Sequence, residues 1–528
     1  MTERLARLAP DQRAAATAPA GPVLCVAPAG SGKTTTLVAR VAWRVATGTD
    51  PAAITVLAFN RRAAEELSER LSAALSPLGV EDGVRVRTFH ALGLEILREA
   101  RHAVEPPVDR DAVLRELFPD APPATRTALD LAFSRLKLDA CVTAEDVAAD
   151  PTPGAVGAAF VQYERALASR GALDFDDLVA RALRLLRREP PVLTRWRARC
   201  ATLFVDEAQD LDRSQLELAL LLAAPGNDVF LVGDDDQTIY GWRLADVRRI
   251  LGLEAALPGL RRVDLTVNYR CPAIVVDRAV RLVETNGQRF AKRIAARPGA
   301  PGRLVLAPDA GDDVARIARV VGAWPTDGTR AVLTRTNREL LAAAIVALDA
   351  GIPFRAAELA LLVEDDRVDD VLEAAAALPA TWPLLVRLGR VRSATRAADR
   401  EIATAVLGWA AAFEDLDALR AAVGHRRARL AELRQPDAAL TLATTHATKG
   451  AEWDDVLVLT DGFPAARAVA TASDPASVLE EERRLAYVAW TRARRSLTLL
   501  FDPANPSPFL LEAFDPDELG LGGHAAAA

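Results

Sequence analysis

Ala27-Pro28-Ala29-Gly30-Ser31-Gly32-Lys33-Thr34 lies between Val23 to Val26, which reads as a buried strand, and a helical pattern from about Lys33 to Thr47 that Gly48 ends. A strand, a glycine-rich turn and a helix opening on Lys-Thr make a phosphate cradle. Gly30 and Gly32 let backbone N–H groups close around an anion at the helix N-terminus, Lys33 reaches the β and γ oxygens, and the Thr34 hydroxyl binds Mg2+. The strict pattern has glycine at position 27, and Ala27 is a small departure. Outward from this stretch the alternation repeats: Ile54 to Ala58 is a strand run with a helix near Arg62 to Leu75, and Val84 to Phe89 is a third run. Strands alternating with helices specify a parallel sheet covered on both faces, so the fold class is α/β.

From about Glu95 to Arg170 the pattern changes to amphipathic helices with proline-rich joints, then strand runs return at Leu203 to Val205 and Val229 to Val232. Inserted helices therefore interrupt one α/β domain. A second series follows at Leu304 to Leu306, Ala331 to Thr334, Leu440 to Thr444, Val456 to Leu459 and Leu497 to Phe501, with a helical stretch between Asp370 and Gln435. The end, Gly522 to Ala528, reads as disordered.

A phosphate cradle alone hydrolyses nothing. Leu203-Phe204-Val205-Asp206-Glu207 supplies a strand that delivers one carboxylate for Mg2+, Asp206, and a second, Glu207, to orient and deprotonate a water. Further on, Gly233-Asp234-Asp235-Asp236-Gln237-Thr238-Ile239-Tyr240-Gly241-Trp242-Arg243 places three acids between a strand and two aromatics. Consecutive acids ordinarily mean a solvated loop. Here the combination suggests a coupling loop: Gln237 can hydrogen-bond water and a γ-phosphate, while Tyr240 and Trp242 offer flat faces on which bases stack.

Composition narrows the class. At 528 residues the chain is too long for one core. Four cysteines without CxxC spacing indicate neither a zinc site nor a disulfide framework. The net charge of −7 gives no general attraction to a polyanion, so any nucleic-acid contact must be local. No export signal or long apolar run is present, which makes cytoplasm the expected location and no membrane the expectation. Lysine occurs only at 33, 137, 292 and 449, in a chain otherwise rich in arginine. Positions that still hold lysine are candidates for a role arginine cannot fill.

Taken in order, Gln12, the phosphate loop, Ala58 to Ala64, Thr88-Phe89-His90, Asp206 to Asp210, Gly233 to Arg243, Asn268-Tyr269-Arg270, Thr445 to Trp453 and Glu480 to Ala493 resemble the full motif series of UvrD/Rep/PcrA-type superfamily 1A helicases. The resemblance spans Leu8 to about Leu510. It implies two RecA-like P-loop domains with parallel sheets, each interrupted by a helical insertion: 1–94 with 171–268 as the first, 95–170 as its insertion, 269–370 with 436–512 as the second, 371–435 as a reduced helical remnant of the second insertion, and 513–528 as a flexible tail. ATP would be held by Gln12 at the adenine edge, Tyr269 on its ring, the loop Ala29, Gly30, Ser31, Gly32, Lys33, Thr34 and Thr35, and Glu452 at the ribose. Arg270 and Arg492 resemble arginine fingers on the γ-phosphate, and Mg2+ would sit on Thr34 and Asp206. Strand contacts carry over to Phe59, Asn60, Arg61, His90, Tyr240, Trp242, Arg243, Arg335, Thr336, Asn337 and His446. Leu173 to Leu178 also resembles a family segment, although a helix N-cap explains its acids equally well.

The implied activity is an ATP-dependent single-stranded DNA translocase and 3′-to-5′ helicase of repair, recombination or replication restart, acting on single strands and 3′-tailed duplex. Because the second insertion is reduced, ATP hydrolysis and translocation carry over more directly than processive unwinding. Two other readings stand beside it: an ATPase subunit partnering a nuclease, as in Gabija-type phage defence, and a nucleotide-gated interaction protein without motor activity. A nuclease or repair protein is thus a possible partner.

Overall fold

The computed structural model describes residues 5–100, 106–152, 154–357, 359–395 and 400–521. By packing, the chain forms two units. The first comprises Met1–Ala300 with Thr471–Thr491, the second Pro301–Ala470 with Arg492–Ala528.

In the first unit six parallel strands form one sheet: β1 (Val23–Val26), β2 (Ile54–Ala58), β3 (Arg85–Thr88), β4 (Thr202–Val205), β5 (Val229–Gly233) and β6 (Arg261–Asp264), in the order β3-β2-β4-β5-β1-β6. β1, β2, β4 and β5 are buried along their whole length, as central strands covered by helices on both faces must be. β6 has no counterpart in the sequence reading. Arg261-Arg262-Val263-Asp264 lacks an apolar run because it is an edge strand that shows two arginines to solvent, with Cys25 opposite Val263 in register. Parallel strands point the same way, so the loops after β1, β2, β3, β4 and β5 gather along one edge, where open α/β sheets bind ligands.

The inserted helices Arg110–Leu117, Pro123–Ser134, Ala144–Ala148 and Gly154–Ser169 build their own small core on Leu114, Phe133, Phe160 and Tyr163. Helix Phe89–Glu99 runs across the boundary expected at residue 95, because Phe89, Leu92 and Ile96 are anchored in the core of the sheet.

The second unit is another six-stranded parallel sheet, ordered Phe354–Arg355, Leu440–Thr444, Arg330–Thr334, Trp453–Leu459, Ala493–Phe501 and Arg303–Pro308. Helices Arg367–Ala376, Leu384–Ala394, Arg400–Ala410 and Leu416–Leu433 share one core with it, in which Val368, Leu388, Val406 and Leu419 join Val332, Phe354 and Leu457. The stretch 371–435 is therefore part of this unit's core.

Two segments lie in a different unit from the one expected. Residues 269–300 and 471–491, expected in the second domain, pack with the first unit. Helix Pro475–Trp490 lies against helix Ala273–Val283, and polar contacts secure it: Gly287 N–H donates to the Glu480 carboxylate at 2.8 Å, and Arg483 donates to Asn286 at 2.6 Å. The tail expected from residue 513 remains packed at Phe514 and Leu519, both buried. The disorder expected for Gly522 to Ala528 lies outside the described residues. Among the described residues no helix is long and apolar enough to cross a membrane.

Candidate functional site

The loop after β1 turns into helix Lys33–Ala46 through two glycines in the left-handed region, Gly30 at φ 67° and Gly32 at φ 86°. Both are also packed too closely for a side chain. A Cβ on Gly30 would come within 2.7 Å of Asn268 Oδ1, and one on Gly32 within 2.6 Å of Gln12 Nε2. The Gln12 amide donates to the Ser31 carbonyl at 2.8 Å and accepts from Ala9 N–H at 3.1 Å, which ties the N-terminal helix to the loop. Tyr269 N–H donates to the Gly30 carbonyl at 2.9 Å, and the Tyr269 ring is exposed above it. Ser31 Oγ is buried without a protein partner.

At the end of β4, Glu207 holds φ 52°, uncommon for a residue with a side chain and frequent at functional sites. This conformation turns its carboxylate toward Lys33, whose Nζ lies 3.8 Å from Glu207 Oε1. The neighbouring Asp206 is buried, and its carboxylate accepts Glu207 N–H at 3.0 Å. Gln209, not singled out by sequence, links this loop to the next: its Nε2 donates to Glu207 Oε2 at 2.6 Å and its Oε1 accepts Asp234 N–H at 3.0 Å. Gly233 permits that approach, since a Cβ there would lie 2.5 Å from Gln209 Oε1.

The three acids after β5 are not solvated. Asp234, Asp235 and Asp236 are buried around the Lys292 ammonium, which is itself 0% exposed and lies 2.9 Å from both Asp234 and Asp236 while also pairing with Asp235. Arg289 adds a second cation 2.9 Å from Asp236. Burial pushes Asp235 up to about 6, whereas Lys292 and Lys33 hold Asp234 below its ordinary value despite burial. Gln237 Nε2 donates to Asp234 Oδ2 at 2.6 Å, so the glutamine is aimed by a carboxylate that the lysine fixes. A compact ammonium fits among three carboxylates where a planar guanidinium does not, which accounts for a lysine in an arginine-rich chain. Lys292→Met should destabilise the protein by about 3–5 kcal/mol, the cost of leaving buried carboxylates unpaired, as measured by chemical denaturation.

Beyond Gln237 the loop reaches toward the end of β2. Tyr240 stacks on Phe59 with ring centroids 5.3 Å apart, Trp242 meets Tyr240 edge-on at 6.1 Å, and the Arg243 guanidinium lies 4.6 Å from the Trp242 ring centre. Trp242 is 53% exposed, which excludes a core role. Glu481 receives Gly241 N–H at 2.8 Å and holds this loop from helix Pro475–Trp490. Asn60 caps the helix that Arg61 opens, its side chain accepting Ala63 N–H at 2.8 Å.

His90, after β3, stacks on Phe175 at 3.9 Å. Phe175 is 56% exposed, and sequence reasoning passed over it because the flanking acids read as a helix cap. Burial, with Arg243 nearby and against the pull of Asp176, pushes the His90 imidazole down to about 4. A histidine depressed from about 6.5 contributes stability that is complete above 6.5 and is lost as pH falls toward 4, because the unfolded chain then binds the proton first. Thermal melts from pH 7 to pH 5 should show a loss that is smaller in His90→Phe.

Arg270 Nη1 donates to the Thr491 carbonyl at 3.1 Å, within the first unit. The remaining predicted residues belong to the second. Arg492 is 2% exposed and donates to the Ala451 carbonyl at 3.2 Å, so it is not a surface arginine. Glu452 pairs with Arg494 at 2.5 Å. Arg335, Thr336 and Asn337 follow the strand Arg330–Thr334, with Glu339 accepting the Arg335 and Thr336 N–H groups at 3.0 and 2.8 Å. His446 lies half-buried in the turn Thr445–Thr448.

Residues 8–258 match the UvrD/REP helicase N-terminal domain and residues 419–502 the UvrD-like helicase C-terminal domain. The chain is 31% identical over 287 residues to the ATP-dependent DNA helicase PcrA of Staphylococcus aureus (strain NCTC 8325 / PS 47), a match covering 52% of this chain and 39% of that protein. It is 27% identical over 610 residues to DNA helicase II of Escherichia coli (strain K12), covering 93% of this chain and 84% of that protein. The chain thus spans about two fifths of the PcrA length that it matches and most of DNA helicase II. With the phosphate loop, the acidic strand end and the aromatic loop all inside the matched segments, the chain belongs to the UvrD/Rep helicase family.

Proposed function

We propose that this protein is a DNA-stimulated ATPase that translocates along single-stranded DNA and unwinds 3′-tailed duplex in the 3′-to-5′ direction, in DNA repair, recombination or replication restart. One observation carries the reading: a single loop runs from Gln237, fixed beside the Lys33 and Glu207 region, to the exposed ring of Trp242. A change at one end is thereby mechanically joined to the other.

The residues fit ATP with Mg2+. Amides of Gly30 to Thr34 open a helix, the unpartnered Ser31 Oγ faces no competing protein group, and Asp206 with Thr34 supplies the hard oxygens that Mg2+ takes. Bound Mg2+ would neutralise charge on the phosphates. Lys33 binds the β and γ oxygens, Gln12 and Tyr269 hold the base, and Glu452 the ribose. Glu207 Oε1 orients the attacking water and takes its proton, and Gln237 positions that water. Arg270 and Arg492 balance the charge that develops. Phe59, Tyr240, Trp242, His90 and Phe175 form the stacking faces, with Asn60, Arg61, Arg243, Arg335, Thr336, Asn337 and His446 on the backbone.

ATP turnover with and without oligo-dT, followed by strand displacement on duplexes with a 3′ or a 5′ tail, tests this. No stimulation by DNA removes the reading, and displacement from the 5′ tail reverses the polarity. Trp242→Ala should weaken oligo-dT binding by about 1–3 kcal/mol with little sequence preference, while its melting temperature holds. A second reading, a translocase subunit beside a nuclease, draws support from the stretch 371–435, whose helices are absorbed into the core of the second unit. A partner would then supply duplex engagement.

A further inference from the structure

The helical insertion reaches both stacking faces of the first unit. After helix Pro123–Ser134 a single π turn, Arg135–Asp139, adds one residue to the winding and directs the Lys137 side chain inward. Lys137, buried, lies 2.7 Å from Glu164, 2.8 Å from Asp174 and 3.1 Å from Asp177. From the first inserted helix Arg110 pairs with Asp174 at 2.7 Å and with Asp176 at 2.6 Å, the two neighbours of Phe175 in the chain. Tyr163 OH donates to Asp174 at 2.9 Å and Ser134 Oγ to Asp176 at 2.6 Å. Asp174 and Asp177 accept each other's N–H at 3.0 and 3.2 Å, closing the turn that carries the ring. Phe175 is therefore pinned through the carboxylates on both sides of it, while its own ring stays exposed on His90.

The same π turn holds the other aromatic loop. Asp139 pairs with Arg249, whose guanidinium donates to the carbonyl of Leu244, two residues after Trp242 and at φ 66°. The Leu138 side chain packs against Leu244 and Ala180.

We propose that the insertion is a positioning scaffold for single-strand binding, in which Arg110 and Lys137 fix Phe175 on His90 and Asp139 fixes the loop that bears Trp242. The inference rests on the strand-binding reading above. A ring that is already ordered loses less freedom when a base stacks on it, so the clamp contributes to affinity without touching the strand.

The test is a pair of double-mutant cycles read by anisotropy of labelled oligo-dT and by ATP turnover titrated with it. Arg110→Gln should lower oligo-dT affinity and raise the half-saturating oligo-dT concentration by about 3- to 10-fold, with turnover at saturating DNA and without DNA unchanged. Combined with Phe175→Ala it should bind no more weakly than Phe175→Ala alone. Multiplying losses, or an Arg110→Gln protein that binds like wild type, would overturn the inference. If Arg110→Gln fails to fold, the milder Asp139→Asn with Trp242→Ala gives the second cycle, in which losses that do not multiply support the clamp and losses that multiply refute it. A wild-type protein that binds no oligo-dT removes the strand-binding reading itself, and the inference with it.

Discussion

Glu207→Gln is expected to lose DNA-stimulated ATP turnover by about 10²- to 10⁴-fold, the contribution of a positioned general base, while nucleotide affinity stays near wild type. The glutamine keeps the shape of the side chain and can present its carbonyl oxygen to Gln209 Nε2, the partner at 2.6 Å, so the loop between β4 and β5 should keep its form. What it cannot do is take a proton. Lys33→Ala differs in kind, because it removes the cation at the phosphate cradle and should lose both turnover and much of the affinity. Steady-state hydrolysis together with a fluorescent-nucleotide titration separates the two, and wild-type turnover in either variant would remove the assigned role.

Arg492→Ala should keep much of the ATP affinity and lose turnover by roughly 10³-fold or more, as the loss of an arginine finger does. Translocation should stop with it. Burial strengthens the case: an arginine left 2% exposed, donating to the Ala451 carbonyl beside Glu452, is held for a purpose beyond solubility. Arg492→Lys tests geometry against charge, since an ammonium keeps the charge and loses the planar fork. Turnover near wild type in Arg492→Ala would assign the buried guanidinium to the fold alone.

Much of the scaffold was legible because central parallel strands are written as short apolar runs. Val23 to Val26, Ile54 to Ala58 and Leu440 to Thr444 fall where their composition puts them. The edge strand Arg261–Asp264 was not, since half of an edge faces water and no periodicity marks it. Local motifs placed Lys33 at the first turn of a helix and Asp206, Glu207 and Gln237 after strands, at one edge of a sheet. They could not show that Asp234 to Asp236 are buried, because the neutralising Lys292 lies far along the chain, although the scarcity of lysine pointed to its position. Phe175 was hidden by its own neighbours: acids that look like a cap from sequence turn out to be the anchors of an exposed ring. The packing of helix Pro475–Trp490 against the first unit depends on contacts between residues some two hundred positions apart, which no local pattern records.

That last helix sets a timetable for biosynthesis. The first unit is mostly encoded by residue 300, yet the segment 471–491 that completes it emerges 191 residues later. At about 5–20 residues per second the ribosome takes roughly 10–40 s to deliver it. Throughout that interval Asn286 and Gly287 lack Glu480 and Arg483, and Gly241 lacks the Glu481 carboxylate that fixes the aromatic loop. The nascent chain therefore carries an unfinished first unit while much of the second is being made, and the aromatic loop acquires its final anchor only after residues 301–470 have been added.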